Sequence, residues 1–265
     1  MTAFQNIRIS LLTFLFAGVL TSCAWLGDAP DDKVIDILEE FEIYAVEDIT
    51  ESGRMVDMVI TTINPVCDQA SIEVETTQGR DYIDVIIRKI NQPDSCDSGQ
   101  KVIMKTVTSL GELDDDRYYV NITLKNVVDN TGTLNIFSDR MVLDISNPEG
   151  IIVNPAMTYV LPENMIWGYA TSYEVDYAGR IIDFVTDLSL VCENIVLPDG
   201  QYTNFTIDES DKLHFDDRPP HMNEATFYFK FSGAEQEIID LLEDYRQEAG
   251  QRADFKIFST NGKVY

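Results

Sequence analysis

The segment Tyr118-Tyr119-Val120-Asn121-Ile122-Thr123-Leu124-Lys125 decides the fold class that we predict for this chain. Residues 118, 120, 122 and 124 are apolar, whereas the residues that alternate with them are mostly polar. This period of two is typical of a β-strand that buries one face and exposes the other. The same alternation recurs at residues 72–75 and 141–145, so we predict a mainly β chain.

Turn-forming residues separate these alternating runs from about residue 34 to residue 146. Glycines and clustered aspartates stand at short intervals, for example at Gly79 and at residues 114–116 and 129–132. Short alternating strands at this spacing are typical of two sheets packed face to face. We therefore predict that residues 34–146 form an antiparallel β-sandwich of seven or eight strands.

Residues 147–164 interrupt this pattern. They contain Pro148, Pro155 and Pro162 and have few periodic positions. Proline has no backbone N–H to donate to a neighbouring strand. The segment is therefore predicted to be a linker rather than a central strand.

Residues 165–265 carry strand signals of a different kind. One parity of positions 167–177 is mostly aromatic, which predicts a strand with one aromatic face; it contains Trp167, Tyr169, Tyr173, Val175 and Tyr177. Such a face is either part of a core or a platform on which sugar rings or peptides stack. Further strands are predicted over 180–197, 225–231 and 253–259.

One amphipathic helix is predicted over about 233–249. Ser232 and Glu235 have the spacing of a capping box, and Gly250 follows as a stop signal. The apolar stripe consists of Ile238, Leu241, Leu242 and Tyr245. Residues 165–265 are thus predicted to form a smaller β-rich domain, either an OB-like barrel or another α+β arrangement.

A short internal similarity links the two predicted domains. Gly-Arg-Met-Val-Asp-Met-Val at 53–59 is similar to Gly-Arg-Ile-Ile-Asp-Phe-Val at 179–185. The similarity would mark either two related β modules or a chance repetition of strand-forming residues. The sequence leaves both readings open.

The N-terminal segment has the features of an export signal. An apolar run from Ile9 to Leu20 is too short to cross a bilayer as a helix, and it leads into Leu20-Thr21-Ser22-Cys23. This tetrapeptide resembles the lipobox of bacterial lipoproteins. The resemblance covers the first 23 residues only.

The resemblance implies how the mature chain is anchored. Residues 1–22 would be a signal peptide that is removed, Cys23 would carry diacylglycerol and fatty acids such as palmitate, and residues 23–33 would be a tether. Multiple acyl chains hold a protein stably on a membrane. Because residue 24 is alanine and not aspartate, enterobacterial sorting would place the protein in the outer membrane of the cell envelope.

Export implies an oxidising compartment, in which disulfides persist. Cys67 and Cys96 lie in turn-rich segments next to strand ends, and we predict a disulfide between them. This bond would close a loop of about 29 residues and stabilise the fold by roughly 3–4 kcal/mol. Cys192 lies in an apolar run and is predicted to be a buried free thiol.

The chain is strongly acidic. Its formal charge is −27, and the mature chain keeps all 46 Asp and Glu but 18 of the 19 Lys and Arg, which gives about −28. This charge repels phosphate, which argues against nucleic acid and anionic bilayer surfaces as partners. A basic protein partner or weak cation binding fits the charge.

One segment contains residues of the types that bind zinc. His214, Asp216, Asp217 and His221 lie within eight residues. The segment contains two prolines and has no helical spacing that would place both histidines on one face. We therefore expect a solvated loop and assign no metal and no cofactor.

The sequence contains none of the common short catalytic signatures, such as Gly-x-Ser-x-Gly or His-Glu-x-x-His. We assign no catalytic residue and predict a non-enzymatic, membrane-anchored lipoprotein that acts as a binding or assembly module of the cell envelope. The alternative is an extracytoplasmic hydrolase or glycan-active enzyme with paired carboxylates. A cation carrier built on the histidine segment is a third possibility.

Overall fold

The computed structural model describes residues 40–93, 95–96, 99–218 and 221–265. The predicted signal peptide, the predicted lipid-bearing Cys23 and the tether lie outside the described residues. In the described part the chain is mainly β, as predicted.

Twelve strands form the first part of the described chain. In chain order they are β1 (Phe41–Thr50), β2 (Gly53–Thr62), β3 (Val66–Cys67), β4 (Ser71–Gln78), β5 (Tyr82–Asn91), β6 (Lys101–Val102), β7 (Lys105–Gly111), β8 (Arg117–Leu124), β9 (Val128–Ile136), β10 (Arg140–Ile145), β11 (Ile151–Val153) and β12 (Met157–Tyr159). Ten of them build two sheets, in the orders β11-β1-β2-β7 and β12-β10-β9-β8-β5-β4. The short strands β3 and β6 pair with each other in a separate ribbon.

The two sheets pack face to face around one core. Alternate side chains of β8 from Tyr118 to Leu124 are buried, as the sequence pattern predicted. They meet side chains such as Ile43 and Met58 from the opposite sheet. Most strand pairs are antiparallel, but β1 pairs with β11 and β5 pairs with β8 in parallel. The result is a β-sandwich with two parallel pairs inside an otherwise antiparallel plan.

The segment predicted as a linker contributes to both sheets. Strand β11 lies at the edge of the four-stranded sheet, and β12 lies at the edge of the six-stranded sheet. Pro148, Pro155 and Pro162 all fall outside these strands. Because an edge strand needs only one row of hydrogen bonds, prolines beside it are tolerated.

The second part of the described chain is a layered α+β arrangement. Its strands are β13 (Met165–Ser172), β14 (Gly200–Gln201), β15 (Phe205–Ile207), β16 (Leu213–Phe215), β17 (Glu224–Lys230) and β18 (Ala253–Ser259). Strand β13 lies between β17 and β18, and β14, β15 and β16 form a second, smaller sheet. Of the two architectures predicted for these residues, the α+β one is found.

Two helices cover one face of the β17-β13-β18 sheet. They are α1 (Ala178–Val191) and α2 (Glu235–Ala249), and a short 3-10 helix at Val175–Tyr177 precedes α1. Their buried side chains, such as Phe184 and Leu242, pack against this sheet. The small sheet covers the opposite face of the same sheet through Trp167 and Phe205. Strand β13 is thus enclosed on both sides.

The strand predicted over 180–197 is wrong, because residues 178–191 form α1. Its buried residues Ile181, Phe184 and Leu188 recur every three to four positions, which is the helical period. The run is also rich in Ile and Val, which favour strands. The similarity between 53–59 and 179–185 therefore marks no structural repeat, since the first segment is a strand and the second is a helix.

The helix predicted over 233–249 is confirmed as α2. It begins after Ala234 and ends at Gly250, whose φ of +61° lies in the left-handed region. No side chain caps its N-terminus, so the predicted capping box does not form. Glu235 instead accepts hydrogen bonds from Lys263 Nζ and Tyr265 Oη.

The predicted aromatic strand ends earlier than expected, at Ser172. Its aromatic face is part of the core, because Trp167 is buried against the small sheet and Tyr169 packs edge-on against Phe215. Gly168 lies on the other face. A Cβ there would lie 2.0 Å from the carbonyl oxygen of Lys256, so only glycine allows β18 to approach.

The predicted disulfide between Cys67 and Cys96 is present. It joins β3 to the segment before β6, where the chain passes from one sheet to the other and back. Cys192 is a free thiol at the end of α1 and is half-buried. Burial raises the pKa of this thiol to about 11, so it stays protonated at neutral pH.

A buried ion pair ties the β1–β2 hairpin to the chain that enters the second part. Glu47 on β1 is 4% exposed. It accepts hydrogen bonds from Arg54 Nη1 at 2.6 Å and from the backbone N–H of Leu161 at 3.1 Å. Arg54 Nη1 also donates to the Leu161 carbonyl oxygen at 2.8 Å. Burial raises the pKa of Glu47, although Arg54 acts in the opposite direction.

Candidate functional site

The four histidine and aspartate residues singled out in the sequence do not meet at one point. His214 Nε2 lies 2.6 Å from Asp208 Oδ2, and His221 Nδ1 accepts a hydrogen bond from the backbone N–H of Asn223. The partner of the Asp216 carboxylate is Gln201 Nε2, and that of the Asp217 carboxylate is Lys105 Nζ. Each of the four therefore has its own neighbour in the described part of the chain.

Both histidines nevertheless border one cavity of about 100 Å³. The cavity lies beside β16 and the start of β17, at the edge between the small sheet and the central one. Its lining residues are Lys212, Leu213, His214, Phe215, Arg218, His221, Glu224 and Thr226. We call this space the Arg218 cavity, because Arg218 is the side chain that gives it chemical character.

Arg218 is held in place on three sides. Its guanidinium carbon lies 3.6 Å from the centre of the Tyr169 ring, which places the cation over the aromatic face. Arg218 Nη2 donates to Thr171 Oγ1 at 2.9 Å and pairs with Glu224 Oε2 at 2.6 Å. Because the guanidinium is already held in one position, it loses little further conformational entropy when it binds a ligand.

One nitrogen of this guanidinium has no acceptor among the residues that the structure describes. Arg218 Nη1 is buried and makes no hydrogen bond to any residue that the structure describes. A buried charged donor without a partner is costly, by roughly 1–3 kcal/mol or more. Arg218 lines the cavity, so an acceptor that bound there and reached Nη1 would satisfy this donor.

The strand register assembles these contacts. Thr171 on β13 lies opposite Glu224 on β17, and Tyr169 lies opposite Thr226 two residues along. Side chains two residues apart point to the same face of a strand. The aromatic ring, the hydroxyl and the carboxylate that hold Arg218 thus come from one face of one strand pair.

The lining of the Arg218 cavity is cationic in an otherwise acidic chain. The charged lining residues are two cations, Lys212 and Arg218, and one carboxylate, Glu224. Asp208 lies just outside and keeps its charge, because the hydrogen bond from His214 and further donors from Lys212 and Ser210 hold its pKa well below the usual range. A planar anionic group such as a carboxylate matches a guanidinium donor in this setting.

Carboxyl groups with raised pKa values lie away from this cavity. Burial is the largest cause of the raised pKa at Glu47, Asp57 and Asp216. None of these three side chains lines the Arg218 cavity. Glu47 serves the ion pair with Arg54, and Asp216 is bound to Gln201.

Sequence reasoning named His214 and His221 but missed Arg218. One sequence feature could have indicated Arg218 as a functional residue. It is a cation beside Asp216 and Asp217 in an acid-rich segment. Its partners Tyr169 and Thr171 come from β13, nearly fifty residues earlier. Only the pairing of β13 with β17 brings them to Arg218.

Comparison with known proteins assigns this chain to no family. No family model, no curated protein and no solved structure matches it. Among the residues that the structure describes, neither helix is long and apolar enough to cross a membrane. The function is therefore inferred from the residues of this chain and from their contacts.

Proposed function

We propose that the protein is a membrane-anchored extracytoplasmic lipoprotein that acts as a binding module of the bacterial cell envelope, without turnover. The lipobox-like segment before Cys23 supports the anchor and an envelope location, with the outer membrane as the proposed site. The disulfide between Cys67 and Cys96 supports an oxidising compartment.

The Arg218 cavity is the observation that carries the binding function. It offers a fixed guanidinium with one unused buried donor, framed by Lys212 and two imidazoles. We propose that it receives a carboxylate of the partner. Satisfying a charged donor in a partly enclosed site contributes roughly 1.5–3 kcal/mol to affinity.

The net charge of this chain indicates which charge the rest of the partner's surface should carry. A mature chain of about −28 attracts a protein with a basic patch and repels nucleic acid. A tether at Cys23 raises the effective concentration of this body toward other envelope components, so a modest affinity is sufficient. The proposed partner is thus a basic envelope protein that places one carboxylate in the Arg218 cavity.

Replacing Cys23 with alanine is expected to abolish lipid labelling of the protein. Cys23 provides the only thiol in the lipobox-like segment that can accept the diacylglyceryl group. Metabolic labelling with a tagged fatty acid, followed by fractionation of membranes, measures this. Cys192→Ala is the matched control and should keep its label. Unchanged labelling of the Cys23→Ala variant would remove the anchor from the proposal.

The double variant Arg218→Gln with Glu224→Gln is expected to lower partner capture about tenfold or more. It removes the donor without leaving the Glu224 charge buried and unpaired, and tenfold corresponds to about 1.4 kcal/mol. Crosslinking of the full lipoprotein in its own cells, quantified for the captured basic protein, measures this. Capture should also fall at high salt.

Arg88→Gln with Glu75→Gln provides the matched control. This pair is an ion pair on the sandwich, away from the cavity, and capture should stay within about twofold. Equal capture by the wild type and by the Arg218 double variant would contradict a binding role of the cavity. Hydrolysis of glycan, ester or peptide substrates that disappears when one Asp or Glu is replaced in a folded protein would favour the enzyme alternative.

A further inference from the structure

Two tyrosines stand side by side on the outer face of the six-stranded sheet. Tyr82 on β5 and Tyr119 on β8 are direct partners in the parallel pair of these strands. They are 44% and 61% exposed. Neighbouring strands lie about 4.8 Å apart, so the two side chains leave the sheet next to each other. Two exposed tyrosines at directly paired positions offer an aromatic surface to a ligand.

Planar polar side chains surround the two rings on the same face. Asn121 follows Tyr119 along β8 and is paired with Asp84 on one side and Thr131 on the other. Asn135 and Arg117 form the next pair in the opposite direction. The inward residues Val120 and Ile122 alternate with them and belong to the core. We call this surface the Tyr82–Tyr119 face.

The polar groups of the face are partly bonded to one another. Asn121 donates to Thr123 Oγ1 at 3.3 Å, and its Oδ1 is buried without a donor among the described residues, so this oxygen is not open to a ligand. Asn135 donates to Thr133 Oγ1 at 3.2 Å. An amide side chain offers hydroxyl groups both a donor and an acceptor, whereas an ionised carboxylate only accepts from them.

The charges of the face and of the whole chain indicate whether a ligand with apolar and hydroxyl surfaces should be neutral or charged. The face carries both signs, with Arg117 close to the Tyr119 ring and Asp84 beside Asn121. The chain as a whole is strongly negative, so an anionic polymer is repelled over the range of the Debye length. A neutral ligand meets no such penalty.

We infer that the Tyr82–Tyr119 face binds a neutral polysaccharide. The apolar C–H faces of two successive sugar rings would stack on the two tyrosine rings, and the hydroxyl groups would meet Asp84 and Asn135. Aromatic rings with polar tips supply large contact area at low conformational cost, which suits an open surface. This site is separate from the Arg218 cavity and does not depend on the function proposed for it.

The test measures binding of the full chain, in nonionic detergent, to soluble polysaccharides by titration calorimetry. The probes are a β-glucan, a galactomannan and a xylan, with alginate as the anionic polymer. We expect at least one neutral probe to bind, and alginate to bind more weakly. Tyr119→Ala and Tyr82→Ala should each weaken that binding about tenfold or more, as truncation of an anchoring aromatic does.

Tyr173→Ala is the matched control, because Tyr173 is 62% exposed and lies outside the sandwich. It should change the affinity by less than about twofold, whereas Tyr119→Phe should retain most of the binding since the ring is kept. Thermal unfolding of each variant checks that the fold is intact. The inference is overturned if no neutral probe binds, if alginate binds best, or if the double Tyr82→Ala, Tyr119→Ala variant binds like the wild type.

Discussion

Replacing Arg54 with alanine is expected to lower the free energy of unfolding by about 3–5 kcal/mol at pH 7. The change leaves Glu47 as a buried carboxylate without its cation, and breaking a buried pair from one side typically costs this much. Arg54 is about one-third exposed, so the lower end of the range is expected. The loss also removes the hydrogen bond to the Leu161 carbonyl oxygen.

The destabilisation should depend on pH in a defined direction. The pKa of Glu47 is already raised by burial in the folded protein, and removal of Arg54 raises it further. An acid whose folded-state pKa is raised binds its proton more tightly in the folded state. Its favourable contribution is complete below the pKa of the unfolded chain and is lost as pH rises through the folded pKa. The loss caused by Arg54→Ala should therefore shrink as pH is lowered from 7 toward 4.5.

Urea unfolding of the wild type and of the Arg54→Ala variant at both pH values measures this effect. Arg88→Ala is the control, because Arg88 and Glu75 form an exposed pair whose loss should cost less than about 1 kcal/mol. A loss below 1 kcal/mol for Arg54→Ala, or one that is equal at both pH values, would show that Glu47 does not depend on its cation.

Removing the disulfide is expected to lower the free energy of unfolding by about 3–4 kcal/mol. The bond joins residues separated by 29 positions, and the chain-entropy model gives this value for a loop of that length. The appropriate variant replaces both Cys67 and Cys96 with alanine, so that no unpaired thiol remains. Chemical unfolding of this variant and of the oxidised wild type gives the difference.

Two comparisons isolate the disulfide from the loss of side-chain packing. The wild type measured in a strong reductant should unfold like the double variant, while the double variant should not respond to reductant. Cys192→Ala should cost about 1 kcal/mol or less, because this half-buried thiol forms no disulfide with any cysteine that the structure describes. Mass mapping of unreduced peptides that linked Cys192 to another cysteine would contradict the pairing.

The features that follow from the residue pattern of one short segment could be predicted from the sequence. The alternation from Tyr118 to Leu124 predicted which side chains are buried, and Cys67 and Cys96 were paired from their positions beside turns. The helix α1 was missed because its stripe of Ile181, Phe184 and Leu188 is embedded in residues that also favour strands. Local pattern alone does not decide between the two periods in such a run.

The parts that depend on pairing between distant strands could not be predicted. Arg218 obtains its neighbours from the register of β13 and β17, and Tyr82 meets Tyr119 through a parallel pair of strands. An alternation with period two shows which residues share one face of a strand. It does not show which other strand pairs with that strand. The Arg218 cavity and the Tyr82–Tyr119 face therefore both depend on which strands are paired.

The parallel pair of β1 and β11 has a kinetic consequence. Phe41 pairs with Ile151, about 110 residues later in the chain, so the first strand of the sandwich obtains this partner only after the other strands of its own sheet have been made. Contacts of such high sequence separation slow folding toward the millisecond-to-second range, because loop closure must precede the gain from pairing. During that interval the backbone groups of β1 are open to strands of other chains. Nascent molecules that meet at high concentration would thus compete with their own residues 151–153 for the same edge, and slow delivery or a chaperone would favour the correct partner.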